Sequence, residues 1–179
     1  MKKTIWVCGV IAGVISIAWA VGFEPLLGNS LSLNTRMIFG YASMILGFSL
    51  IFVAVKNYRD NYNSGIITFG KALRIGLLIT LVASTVYVVV WMIDFSYFAA
   101  DYGEKYQVQA LAELKASGAS AAEIKRQGAE MAATMATYKT SFFFRALFTY
   151  FEIVPVGVVI SLIAALILKR KSKLTTVNA

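Results

Sequence analysis

Hydrophobic residues gather along this chain into four long runs separated by polar segments, and each run is close to the ~20 residues that a bilayer-crossing helix needs. The runs predict spans over about residues 4–22, 37–55, 72–93 and 142–168. The first follows Lys2 and Lys3 and carries Trp6 and Trp19 near its ends, where amphipathic rings favour the membrane interface. Ala18-Trp19-Ala20 also resembles a signal-peptide cleavage site, but the apolar stretch exceeds the usual ~7–15 residue signal core. Small residues recur at helical spacing, with Gly9 and Gly13 in span one and Gly40 and Gly47 in span two. Gly76 and Gly157 extend the same set to spans three and four. Such positions let helices approach closely where packing replaces the hydrophobic effect.

Between spans three and four lies the longest polar stretch, residues 95–141, with helix-favouring composition and a break at its centre. Gly118 is placed to end one helix, and Ser120 with Glu123 matches a capping box that starts the next. In the second arm Ala121, Ile124, Gly128, Met131, Met135, Tyr138 and Phe142 recur at spacings of three and four, a heptad-type seam. The first arm offers Val108, Leu111 and Leu114. The expected fold is all-α: a single membrane domain, residues 1–179, forming a four-helix bundle with a periplasmic antiparallel helical hairpin inserted at 95–141. Residues 56–71, from Lys56 to Lys71, read as a short interfacial segment with its apolar residues dipping into lipid.

Composition sharpens this picture: 59% of the residues are apolar and 15% charged, against roughly 25% charged in an average soluble domain. Disorder and disulfide scaffolds are excluded, the second because there is one cysteine. The net charge of +8 is strongly asymmetric. Lys2, Lys3, Lys56, Arg59, Lys71, Arg74, Lys169, Arg170, Lys171 and Lys173 fall on one side with the single acid Asp60. That side is expected to be cytoplasmic, with both termini inside and anionic lipids as its partners. On the other side, Asp94 to Arg145 sums to zero. A nucleic-acid partner therefore has little charge left to explain it.

The chain contains no histidine, and Cys8 lies within span one. Histidine acid–base catalysis and thiolate or imidazole metal sites are thereby excluded, so no enzyme activity, metal or cofactor is expected. Glu152 is the most informative polar residue. It lies 17 residues before Lys169, roughly 25 Å up the helix at 1.5 Å per residue. A carboxylate at that depth is expected to face the bundle and to be paired or protonated. Arg36 is the first partner expected and Arg145 the second, while Pro155 leaves the Phe151 carbonyl without its helical donor and favours a kink. Such a point serves either as a structural lock, the favoured reading, or as an ion or proton site.

The stretch from Gly65 to Gly76, the charged hairpin, and the run from Glu152 through Pro155 and Gly157 to Ala165 with its basic tail together resemble a bacterial family of four-span inner-membrane proteins catalogued as a domain of unknown function. The resemblance covers nearly the whole chain and implies a Gram-negative inner membrane, but it supplies no activity. The function expected first is non-enzymatic: a structural or interaction protein whose hairpin mediates homo-oligomerisation or binds an envelope partner. The alternative is a small oligomeric transporter or channel using Glu152 near Pro155.

Overall fold

The structure is a computed structural model, and it describes residues 1–27, 30–99 and 101–170. Lys171 and Lys173, counted above at the basic end of span four, lie outside the described residues. Span one consists of α1 (Lys2–Ala18), a π-helical turn (Trp19–Phe23) and α2 (Glu24–Leu27). Span two consists of α3 (Leu33–Phe48), α4 (Leu50–Asn57) and a second π-helical turn (Tyr58–Tyr62). Span three is α5 (Phe69–Tyr97), the hairpin is α6 (Tyr102–Ala116) and α7 (Ala121–Thr140), and span four is α8 (Phe142–Leu168). Among the described residues, four helices are thus long and apolar enough to cross a membrane. No strand occurs among the described residues. Spans one to three run several residues beyond their apolar runs, because helical hydrogen bonding does not stop at the edge of the hydrocarbon.

Helix starts are written locally. Ser32, Thr68, Ser120 and Ser141 each accept a hydrogen bond from the backbone N–H three residues on, at 3.2, 3.3, 3.2 and 3.2 Å, satisfying a donor that the first turn leaves free. Only half of the anticipated capping box forms, because the Glu123 carboxylate is engaged by Arg126 and Gln127 instead of reaching back. At the tip, Gly118 adopts φ +81°, its N–H bonds to the Lys115 carbonyl and that of Ala119 to the Leu114 carbonyl, closing α6 in a Schellman turn.

The spans close into a ring in which α1 packs on α3 and α5, α5 on α8, and α8 on α3 and α4. Span three is the most enclosed of the four, with buried residues running along its length from Ala72 to Phe95. Close crossings occur where side chains are smallest. A Cβ on Gly13 would come within 2.7 Å of the Ala83 carbonyl oxygen, and one on Gly9 within 2.7 Å of Val82. Gly47 abuts Ala12 and Ser16, Gly76 abuts Ser161, and Gly157 abuts Thr80 and Phe48. Gly40 differs: among the described residues a Cβ there would meet Trp19 alone, at 3.9 Å, so it is not a close crossing point.

The end of the bundle near the N-terminus is closed by a backbone clasp. Ile67 and Arg170 exchange N–H···O=C bonds of 3.0 and 2.8 Å, tying the start of span three to the end of span four. Ile67 is 1% exposed. Of the apolar residues in 56–71 expected to dip into lipid, Ile67 instead completes the core, whereas Phe69 is exposed. At the opposite end the hairpin seam is formed by Ile124, Gly128, Met131, Met135 and Tyr138, with Gly128 against Leu111 and Met135 against Gly103. Val108 is 71% exposed and does not belong to the seam. The α6 surface turned toward span two is polar: Gln109 and Glu113 bond to the Leu31 carbonyl and the Leu33 N–H at 2.8 and 2.8 Å, docking the hairpin over the connection between spans one and two.

Candidate functional site

Beneath the hairpin the helices enclose a chamber of about 410 Å³. Four consecutive helices each contribute two residues one turn apart, the spacing that puts side chains on one face. These are Tyr87 and Trp91 on α5, Tyr102 and Tyr106 on α6, Met135 and Tyr138 on α7, and Phe148 and Glu152 on α8. Trp19, Glu24, Arg36 and Tyr41 complete the wall from spans one and two. The inner wall is tightly held: Trp91 donates a 2.6 Å hydrogen bond to the Tyr138 hydroxyl and meets Tyr102 edge-on at 5.2 Å. Tyr87 is 5% exposed and Trp91 7%. On the α3 and α8 side Tyr41, Phe148 and Glu152 are exposed, so the chamber opens between those two helices.

Of the four residues singled out above for the intramembrane polar site, Glu152 and Arg36 line this chamber, whereas Arg145 and Pro155 do not. Arg36 does not pair with Glu152. It forms an ion pair with Glu24 and donates a 2.6 Å hydrogen bond to Gln109 on the hairpin. Arg145 is 7% exposed and turned toward α7, where its guanidinium bonds to the carbonyls of Tyr138 and Lys139 at 2.9 and 3.2 Å and stacks 4.1 Å from the Phe95 ring centroid. A cation at the carbonyl end of a helix meets the negative end of its dipole. Both expected partners of Glu152 are thus engaged elsewhere, and its carboxylate has no ion pair or hydrogen bond among the described residues. Helix α8 continues through Pro155 without interruption.

Glu24 is the residue that sequence reasoning missed. The signal was present, since Glu24 and Arg36 are the only charges between residues 22 and 36 and carry opposite signs. The phenols of the chamber report its character. Burial pushes the Tyr102 hydroxyl up to about 12, with the Arg36 charge opposing and the Glu152 charge adding to the rise. Burial likewise raises Tyr138. The hydroxyls of Tyr87, Tyr102 and Tyr106 have no hydrogen-bond partner among the described residues. Among the described residues no cluster of three metal-binding side chains occurs.

No curated protein and no solved structure matches this chain. One family model does, that described as protein of unknown function DUF4199, over residues 8–170. The match takes in nearly all of the first span, the other three, and the hairpin with the chamber it covers, and the chain belongs to the DUF4199 family.

Proposed function

We propose that this protein is a non-enzymatic, multi-pass protein of the bacterial inner membrane that takes up a small molecule in the chamber under its periplasmic hairpin, as the binding step of oligomeric transport. The observation that carries this reading is the Glu152 carboxylate, which faces an aromatic chamber of about 410 Å³ with no ion-pair partner among the described residues. Ligand pockets are typically ~300–1,000 Å³ and apolar with a few polar groups, and a charge left unpaired at membrane depth is costly unless something uses it. Cytoplasmic termini are supported by the basic residues gathered at the N-terminal end, and anionic lipids are the partners expected there. The absence of histidine from the sequence supports the non-enzymatic reading. Four spans leave little room for an internal pathway, which is why an oligomer belongs to the proposal.

Proteoliposomes test it. Flux of some member of a broad ion and solute panel is expected to fall with Glu152→Gln, and identical fluxes across the panel for both proteins would sink the transport reading. A second reading makes the hairpin a docking arm for another copy or an envelope protein. It is favoured by the exposed alanines Ala129, Ala132, Ala133 and Ala136, which leave one face of α7 smooth. Loss of a stoichiometric partner on deleting residues 103–138 would support it.

A further inference from the structure

The chamber carries more chemistry than a generic cavity. Its three charges are Glu24, Arg36 and Glu152. The first two neutralise one another as an ion pair, so Glu152 is the acidic group of the wall left without a counter-charge among the described residues, one that a bound cation would hold ionised. Arg145, the other nearby cation, is not part of the wall and is turned to the α7 carbonyls. The same wall carries electron-rich rings: Trp91, Tyr87, Tyr102 and Tyr138, with Trp19 and Tyr41 from spans one and two. Aromatic faces attract cations, most strongly when desolvated, and rings grouped around an alkylammonium are the usual way proteins hold one. Anions are disfavoured by the carboxyl group and ring faces, while a neutral solute would give the carboxyl group no counter-charge. The unpartnered hydroxyls of Tyr87, Tyr102 and Tyr106 add acceptors for an N–H donor.

From this we infer that the chamber is a binding site for an alkylammonium group, held by the Glu152 carboxylate and the rings of Tyr87, Trp91 and Tyr102. This rests on the chamber being a binding site, as proposed above, and names the class of its ligand. The opening between α3 and α8 is flanked by exposed apolar side chains, Met37 on α3 and Phe151 on α8, so the ligand is an amphiphilic cation that enters beside those helices. Two sources share that chemistry: a free lipophilic amine and the ammonium headgroup of a phospholipid.

The full-length protein in phosphatidylglycerol nanodiscs would be titrated calorimetrically with benzyltrimethylammonium, and separately with its uncharged carbon analogue, neopentylbenzene. Saturable binding of the cation is expected, weakened by about tenfold or more in Glu152→Gln, as loss of a desolvated charge contact implies. Tyr87→Leu should weaken binding and Tyr87→Phe should retain it, because this quaternary probe has no N–H for the hydroxyl to accept and is held through the ring. Glu104→Gln, on the hairpin outside the chamber, should bind as the parent does, and an unchanged unfolding temperature would show that Glu152→Gln is folded. If the uncharged analogue binds as tightly as the cation, or Glu152→Gln binds the cation with parental affinity, the cation assignment is overturned and the chamber remains a binding site of another class. If neither probe binds, both readings fall. With the cation bound, weaker affinity in nanodiscs containing phosphatidylethanolamine identifies the lipid headgroup as the occupant, and unchanged affinity identifies a free amine.

Discussion

Replacing Arg145 with methionine would leave the Tyr138 and Lys139 carbonyls without their donor and remove the guanidinium from the Phe95 face. Hydrogen bonds to charged groups contribute about 1.5–3 kcal/mol each way they are tested, so a loss of about 2 kcal/mol is expected, with faster amide exchange concentrated in the last turns of α7. Arg145→Lys should recover only part of this, since an ammonium lacks the planar fork that reaches two carbonyls and stacks on a ring. Equal exchange in all three proteins would show that Arg145 does not tie the hairpin to span four. Ser84 is the opposite case. Its hydroxyl is fully buried and partnerless among the described residues. Ser84→Ala therefore removes an orphan polar atom and should be neutral or stabilising by up to about 1 kcal/mol, read from thermal unfolding in detergent.

At the scale of elements, two glycines that the sequence groups together as packing positions differ in what they do. A Cβ on Gly157 would lie 2.8 Å from Phe48 Cζ and 2.7 Å from Thr80 Oγ1, where α8 crosses spans two and three. Gly157→Ala is expected to cost about 1–3 kcal/mol through overpacking. Gly40→Ala, whose added Cβ would sit 3.9 Å from Trp19 in ordinary contact, should be neutral in the same unfolding measurement. The first turn of α7 carries a pH dependence. Arg126 and Gln127 hold the Glu123 carboxylate down to about 2 from an ordinary 4.5. A folded value below the unfolded one means that its contribution is fully present above pH ~4.5 and is lost as pH falls toward 2. Amide exchange at the start of α7 should accelerate over that window, and Glu123→Gln should abolish the pH response while leaving the Ser120 cap in place. The charge is exposed, so the effect stays local to that turn.

For the molecule as a whole, the clasp between Ile67 and Arg170 places the loop between spans two and three and the exit of span four at one end, opposite the hairpin. A cysteine introduced at Lys2 and one at Ser117, each in a Cys8→Ser background, should therefore label from opposite sides of the membrane. In intact cells an impermeant maleimide is expected to reach position 117 and not position 2, as basic residues retained in the cytoplasm require. Labelling of both from outside would overturn the proposed orientation.

The four spans, the hairpin and most of its seam are legible in the sequence because the interactions that make them are local. A run of apolar residues determines a spanning helix, Gly118 ends α6 through its own φ, and Ser120 caps α7 three residues away. Val108 fails because the first arm's seam follows α6 residues facing α7, which depends on how the two arms rotate against each other. The candidate site was legible as a set of residues and not as a set of contacts: Glu152 and Arg36 do share a chamber, yet Arg36 answers Glu24 and Gln109, and Arg145 answers α7. By itself the sequence determined helix content, span number and the uneven placement of positive charge, all of which depend on composition and on spacings within a turn or two. Only the tertiary structure decided which charges neutralise one another and which is left facing a ring-lined chamber, because that depends on helix rotation and on close glycine crossings between segments far apart in the chain.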